Sequence, residues 1–233
     1  METNTASRRA AGILLALAGL IYFVTEAISA AAWTHPVYSY ATDYISDLGV
    51  PGGSQYVFAH TVNSPLSIVM NIGFIANAVL AFAGATMFLL GIRSARTRIT
   101  WVASLIFAVG LVLVGLFHGS AASVGNGQIA LHGAGAIAAI VFGNLVLVLL
   151  GSLARRYVPR WFANFALVIG VLGLVCFVLQ TVAVLPQQPG IFERGSVYTI
   201  MAGQIVGGVT LVAGSRRRAT PSEPSVGSPV MVR

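Results

Sequence analysis

Acid–base and metal-ligating chemistry in this sequence rests on ten side chains: the carboxylates of Glu2, Glu26, Asp43, Asp47, Glu193 and Glu223, and the imidazoles of His35, His60, His118 and His132. Three histidines with a carboxylate make a zinc-ligand set. Water activated on zinc by His60, His118, His132 and Asp47 would make the chain a metal-dependent membrane hydrolase acting on lipids. The spacing argues against it. There is no HxxxH or HExxH pair, and scattered histidines at helix ends commonly bond water or backbone. Ser46, Ser64 and Ser120 are the candidate nucleophiles, and none stands in a GxSxG-like setting beside a base. The sequence therefore predicts no metal and no other cofactor, with the hydrolase kept as an alternative. The single thiol, Cys176, lies in an apolar run and reads as a small buried hydrophobe.

The elements that must position these groups are membrane helices. Of 233 residues, 57% are hydrophobic and 8% charged, a balance outside the soluble class. A span needs roughly 20 mostly apolar residues. Six runs meet that, at about 10–33, 64–91, 100–117, 128–153, 162–184 and 197–214. The expectation is an all-α, polytopic membrane bundle of six transmembrane helices over residues 10–214, with a cytoplasmic lead-in at 1–9. Residues 215–233 form a tail whose Pro/Ser-rich composition is that of disorder. Gly203 with Gly207, and Gly170 with Gly173, have the spacing of close helix packing in lipid. The second, fourth and sixth runs end in LLGIRSAR, LLGSLARR and VAGSRRR, a faint repeat of three hairpins that the charge pattern alone largely produces. Arg8-Arg9, an apolar run and small residues near 29–32 have the features of a signal peptide. The length of the run, and Glu26 within it, favour a retained span.

All thirteen basic residues are arginine, and the net charge is +7. They do not form a nucleic-acid surface. Arg8 and Arg9, then Arg93, Arg96 and Arg98, then Arg155, Arg156 and Arg160, then Arg216, Arg217 and Arg218 fall in every second loop. That alternation puts both termini in the cytoplasm and the remaining loops outside, in a bacterial plasma (inner) membrane. Arg194 alone among the loop arginines breaks the pattern, and its neighbour Glu193 is the expected neutralising charge.

The outer side collects the polar residues. Residues 38–51, YSYATDYISDLGVP, read as a short interfacial or re-entrant helix, with Asp43 and Asp47 one turn apart on one face. Gly49-Val50-Pro51-Gly52-Gly53 ends it, and Trp33 before it is an interface anchor. Glu26 lies about 24 Å along its helix from Ala10, placed either to snorkel to water or to line an outer cavity. The cluster predicts recognition of a lipid head group or a membrane-protein partner. Arg194 suits a phosphate, and Asp43, Asp47 or Glu26 an amine or hydroxyl. For Asp47, capping a local turn is a compatible reading. A small-solute transporter using Glu26, Asn71, Gln180 and Gln204 is a further alternative. Against it, the inner half offers little beyond Asn77 and Asn144, and no broken helix pair marks a midplane site. Nothing in the sequence sets the oligomeric state.

Several short motifs resemble one family. ISDLG at 45–49, SP at 64–65 with MNIGF at 70–74, HGAGA at 132–136 with FGN at 142–144, and ERGSVY at 193–198 are similar to the bacterial six-helix membrane proteins catalogued as domain of unknown function 998. That family resembles in turn the DRAM and Sfk-type proteins, tied to lipid remodelling and membrane organisation. The resemblance implies importance for Ser46, Asp47, Gly49, Asn71, His132, Asn144, Glu193, Arg194 and Tyr198. The family pattern has proline after Phe117; this chain has His118, so no role carries to that position.

Overall fold

The computed structural model describes residues 5–90, 92–153, 157–182 and 188–219. The elements are α1 (Thr5–Ala32), a 3-10 turn (Ser46–Gly49), β1 (Gln55–Val57), β2 (His60–Val62), α2 (Ser67–Leu89), α3 (Ala95–Leu116), α4 (Ala121–Asn126), α5 (Ile129–Leu153), α6 (Arg160–Thr181) and α7 (Pro189–Ala219). Among the described residues, six of the seven α-helices, all but the short α4, are long and apolar enough to cross a membrane. Arg155, Arg156 and the tail from residue 220 lie outside the described residues.

The six long helices form a closed ring. Each of α1, α2, α3, α5, α6 and α7 packs on the next, α7 returns to α1, and α5 also touches α7 across the middle. The outward surface is apolar, with Leu17, Leu20 and Val24 on α1 and Val168, Val171, Leu172 and Val175 on α6 exposed. Exposed to water, so much apolar surface would be an aggregation liability; facing lipid it is ordinary. This is a multi-pass membrane protein.

Inside the ring, polar side chains join helices. Asn77 on α2 donates to the Ala18 carbonyl of α1 at 2.9 Å and to Gln204 of α7 at 2.8 Å. Asn144 on α5 donates to the Ser196 carbonyl of α7 at 2.8 Å, and Thr199 donates back to it at 2.9 Å. In hydrocarbon such bonds hold helices together because no water competes for them. Gly203 and Gly207 pack as the sequence suggests, seating Leu147 and Phe162. A second close approach was not read from the sequence: Gly12 of α1 lies against Gly208 of α7, where a Cβ on Gly12 would stand 2.6 Å from the Gly208 carbonyl.

Two elements differ from expectation. The sixth span was placed at 197–214, but α7 runs from Pro189 to Ala219. Pro189 suits a first helical turn, and Glu193 and Arg194, whose polarity suggested a loop, are satisfied inside the fold. At about 1.5 Å per residue, 31 residues reach roughly 46 Å, well beyond a hydrocarbon core of about 30 Å. Helix α7 is thus longer than a span requires, and its N-terminal turns meet the segment after α1 through Ile191 and Arg194. The second difference is the segment after α1. Within 38–51 the helix is confined to the 3-10 turn at Ser46–Gly49, and an antiparallel hairpin not expected from the sequence follows it; together they cap one end of the ring. Trp33, expected at the lipid interface, is 1% exposed and stacks on Tyr38 at 5.2 Å; it is core of the cap.

Candidate functional site

The cap, residues 33–66, is held down from α7. Arg194 donates to the carbonyls of Tyr40 at 2.7 Å, Asp43 at 2.9 Å and Gly190 at 3.2 Å, and to the Tyr38 hydroxyl. Its guanidinium pairs with Glu26 of α1 at 3.3 Å, and Tyr198 donates to the same carboxylate at 2.8 Å. The rings of Tyr40 and Tyr38 lie 4.7 and 5.4 Å from its central carbon, a favourable placement for a cation. Burial raises the Tyr38 phenol above its ordinary range, against the opposing pull of Arg194. Ile45 donates its N–H to Glu193, and the Ile191 N–H bonds the Ala41 carbonyl at 3.2 Å, satisfying a donor that a helix start leaves free. Buried charges are tolerated when paired and hydrogen-bonded; Arg194 and Glu26 meet that through each other, though Arg194 Nε and one Glu26 oxygen have no hydrogen-bond partner among the described residues, and Glu193 accepts the Ile45 N–H.

The 3-10 turn is held as tightly. Asp47 accepts from the Tyr44 N–H at 3.0 Å and meets His60 Nε2 at 2.9 Å, tying the turn to β2. That hydrogen bond raises the His60 pKa above its usual value, although partial burial opposes it. Ser64 donates to the Leu48 carbonyl at 2.6 Å, and Asn71 of α2 donates to the Gly49 carbonyl at 2.8 Å. A Cβ on Gly49 would collide with the Asn71 side chain, so any larger residue there would have to displace the amide that bonds the Gly49 carbonyl. Asn71 also lies 3.0 Å from His118 Nε2, which accepts, while burial holds the His118 pKa below its usual value.

Between the cap, α5, α6 and the start of α7 lies a cleft of about 430 Å³. Asp47, His132, Gln180 and Glu193 line its polar part, and Ile137, Ile140 and Phe177 are among its apolar walls. His132 is oriented by the Phe117 carbonyl, 2.8 Å from Nδ1. Gln180 has a buried side-chain oxygen without a hydrogen-bond partner among the described residues.

Of the residues named from sequence, the structure brings Ser46, Asp47, His132 and Glu193 to this cleft. It places Glu26, Arg194 and Tyr198 in the clamp behind it. Asp43 belongs to the clamp side, where its carboxylate accepts from the Ser39 N–H at 2.7 Å. Asn71 sits beneath the 3-10 turn. The expected neutralising partner of Arg194 was Glu193; the ion pair is with Glu26, because α7 turns Arg194 toward α1 and Glu193 toward the cap. The histidines of the zinc reading go to separate partners, His60 to Asp47, His118 to Asn71 and His132 to a carbonyl. Among the described residues no three His, Cys, Asp or Glu side chains are grouped to hold a metal ion. Tyr44, Phe58 and Phe177 line the cleft without having been singled out as site residues. The aromatic interleaving in 38–44 was a signal for Tyr44; Phe58 and Phe177 had none.

A capped ring of six membrane helices with a polar-topped cleft at one end defines a polytopic membrane protein. The chain belongs to the family described as protein of unknown function (DUF998), whose profile matches residues 8–210. Comparison with curated proteins and with solved structures returns no match.

Proposed function

We propose that this protein binds an amphiphile whose head group donates hydrogen bonds, an amine- or hydroxyl-bearing lipid, in the cleft under the cap. The observation that carries this is the acceptor-rich wall. Glu193, Asp47 and the unpartnered oxygen of Gln180 all belong to the cleft, while Arg194, the group suited to a phosphate, is bonded within the protein. Buried acceptors gain most from a ligand that donates to them. Apolar side chains below a few convergent polar groups are the usual make-up of a small-molecule site. The arginines at 8, 93, 96, 98 and 160 cluster at the opposite end of the helices, so positive-inside asymmetry turns the cap outward from a bacterial plasma membrane.

Native mass spectrometry of protein released from mixed vesicles tests this. Phosphatidylethanolamine, whose head group donates, is retained in preference to phosphatidylcholine, whose head group has no donor. Glu193→Gln and Gln180→Leu each weaken the preference by roughly tenfold, about 1.4 kcal/mol. Equal retention of both lipids by the wild type would remove the basis of the proposal, and recovery of cleaved lipid would replace binding with hydrolysis.

A further inference from the structure

We infer that the axis of the helix ring takes up one hydrocarbon chain of the bound amphiphile, drawn in from the cleft; the inference rests on the head-group reading above. Two further cavities lie in series below the cleft. The first, about 30 Å³, shares Ser46, Ala136, Ile140 and Glu193 with it. The second, about 70 Å³, shares Phe107 and Ile200 with the first and lies among α1, α2, α3, α5 and α7. From Glu193 at the cleft to Gln204 beside the last cavity is eleven residues of α7, about 16 Å at 1.5 Å rise. That is about half the depth of a hydrocarbon core.

The walls suit a chain better than water. Thr100 and Ser104 line the last cavity, yet their hydroxyls bond back to the carbonyls of Arg96 and Thr100, each at 2.8 Å. Gln204 is engaged by Asn77 at 2.8 Å. What these residues leave facing the space is nearly all carbon, and apolar cavities stay dry because water finds no partners there. The width admits one chain. Where the two cavities meet, the shared side chains Ile200 and Phe107 pack onto Gly143, a Cβ there standing 2.5 Å from Ile200 and 2.9 Å from Phe107, so these two side chains form the constriction that a chain must displace. The 30 Å³ space is the narrowest of the three, so a chain passes only if side chains such as Ile140 and Ile200 change rotamer, and it leaves no path for a second chain.

Hexadecylamine carrying a diazirine on its terminal carbon, added to the reconstituted protein, tests this by mapping photolabelled residues. Label is expected on Phe107, Leu147 and Leu150 inside the ring, competed by unlabelled hexadecylamine, and about tenfold lower in Ala136→Leu, which narrows the passage below the cleft. Should Ala136→Leu fail to insert, Ala85→Leu at the far end is expected to protect Leu150 while leaving Phe107 labelled. Label confined to the lipid-facing Val171 and Val175 would overturn the inference. The head-group reading is read separately with Glu193→Gln and with hexadecanol carrying the same diazirine. Label that depends on Glu193 but stops at Phe177 in the cleft leaves the head-group site and removes the axial path. Axial label indifferent to Glu193 and to the head group does the reverse, and absence of competition anywhere removes both.

Discussion

Arg194 and Glu26 show how far a single residue's meaning depends on what folds around it. Both drew attention as charges among apolar runs, but their pairing could not be read, since the partners lie at opposite ends of the sequence and only closure of the ring brings α7 onto α1. Removing one member strands the other in a buried site. Arg194→Met is therefore expected to destabilise the protein by about 3–5 kcal/mol in detergent thermal unfolding, with the Glu26→Met, Arg194→Met double variant recovering much of it. Additive losses would show that the pair is not the source of the effect. His60 carries a pH-dependent contact of the opposite exposure. Its folded pKa is raised above the usual 6.5, chiefly by the hydrogen bond to Asp47 and further by the nearby Asp43 charge. The contact therefore contributes fully below about 6.5 and is lost as pH rises through the higher folded value. Amide exchange at Gln55 and Val62, a hydrogen-bonded pair of the hairpin, corrected for the intrinsic base-catalysed rate, should accelerate as pH rises through the folded value, and Asp47→Asn should flatten the response.

At the scale of elements, the long helices were legible because apolar length is their whole signal, whereas the cap was not. Its hairpin turns through Phe58 and Ala59, both with positive φ, at 49° and 65°. Two-residue hairpin loops of that kind usually advertise themselves with Asn-Gly or Asp-Gly; this one has neither, so only the packed structure reveals it. Left-handed conformations cost a non-glycine residue roughly 1–2 kcal/mol. Ala59→Gly should recover about 1 kcal/mol of that, seen as slower exchange of the β1 and β2 amides, while leaving the cleft intact; faster exchange would mean that the turn is favoured by contacts Ala59 itself makes. The motifs that carry the family resemblance gain a physical account here. Asp47 and Gly49 meet His60 and Asn71, Asn144 meets the backbone at Ser196, and Glu193 receives the Ile45 N–H. Gly49 with Asn71 and Ile45 with Glu193 join cap to ring, Asn144 with Ser196 joins two ring helices, and Asp47 with His60 closes the cap on itself.

For the whole molecule, the asymmetry visible in the sequence, arginines at one end and carboxylates with imidazoles at the other, survives as a division of labour between the ends of a ring. The capped end has the polar cleft; the axis below it is apolar. Sequence reasoning located the polar end but spread the site over all its polar residues, because it could not separate groups that close the cap from groups that face the cleft. The most direct measurement is a structure of the protein in nanodiscs containing phosphatidylethanolamine. Head-group density within hydrogen-bonding distance of Glu193 and Gln180, with a hydrocarbon tail leading below Ala136, is the predicted result. A cleft occupied only by water, with lipid confined to the outer surface of the ring, would contradict it.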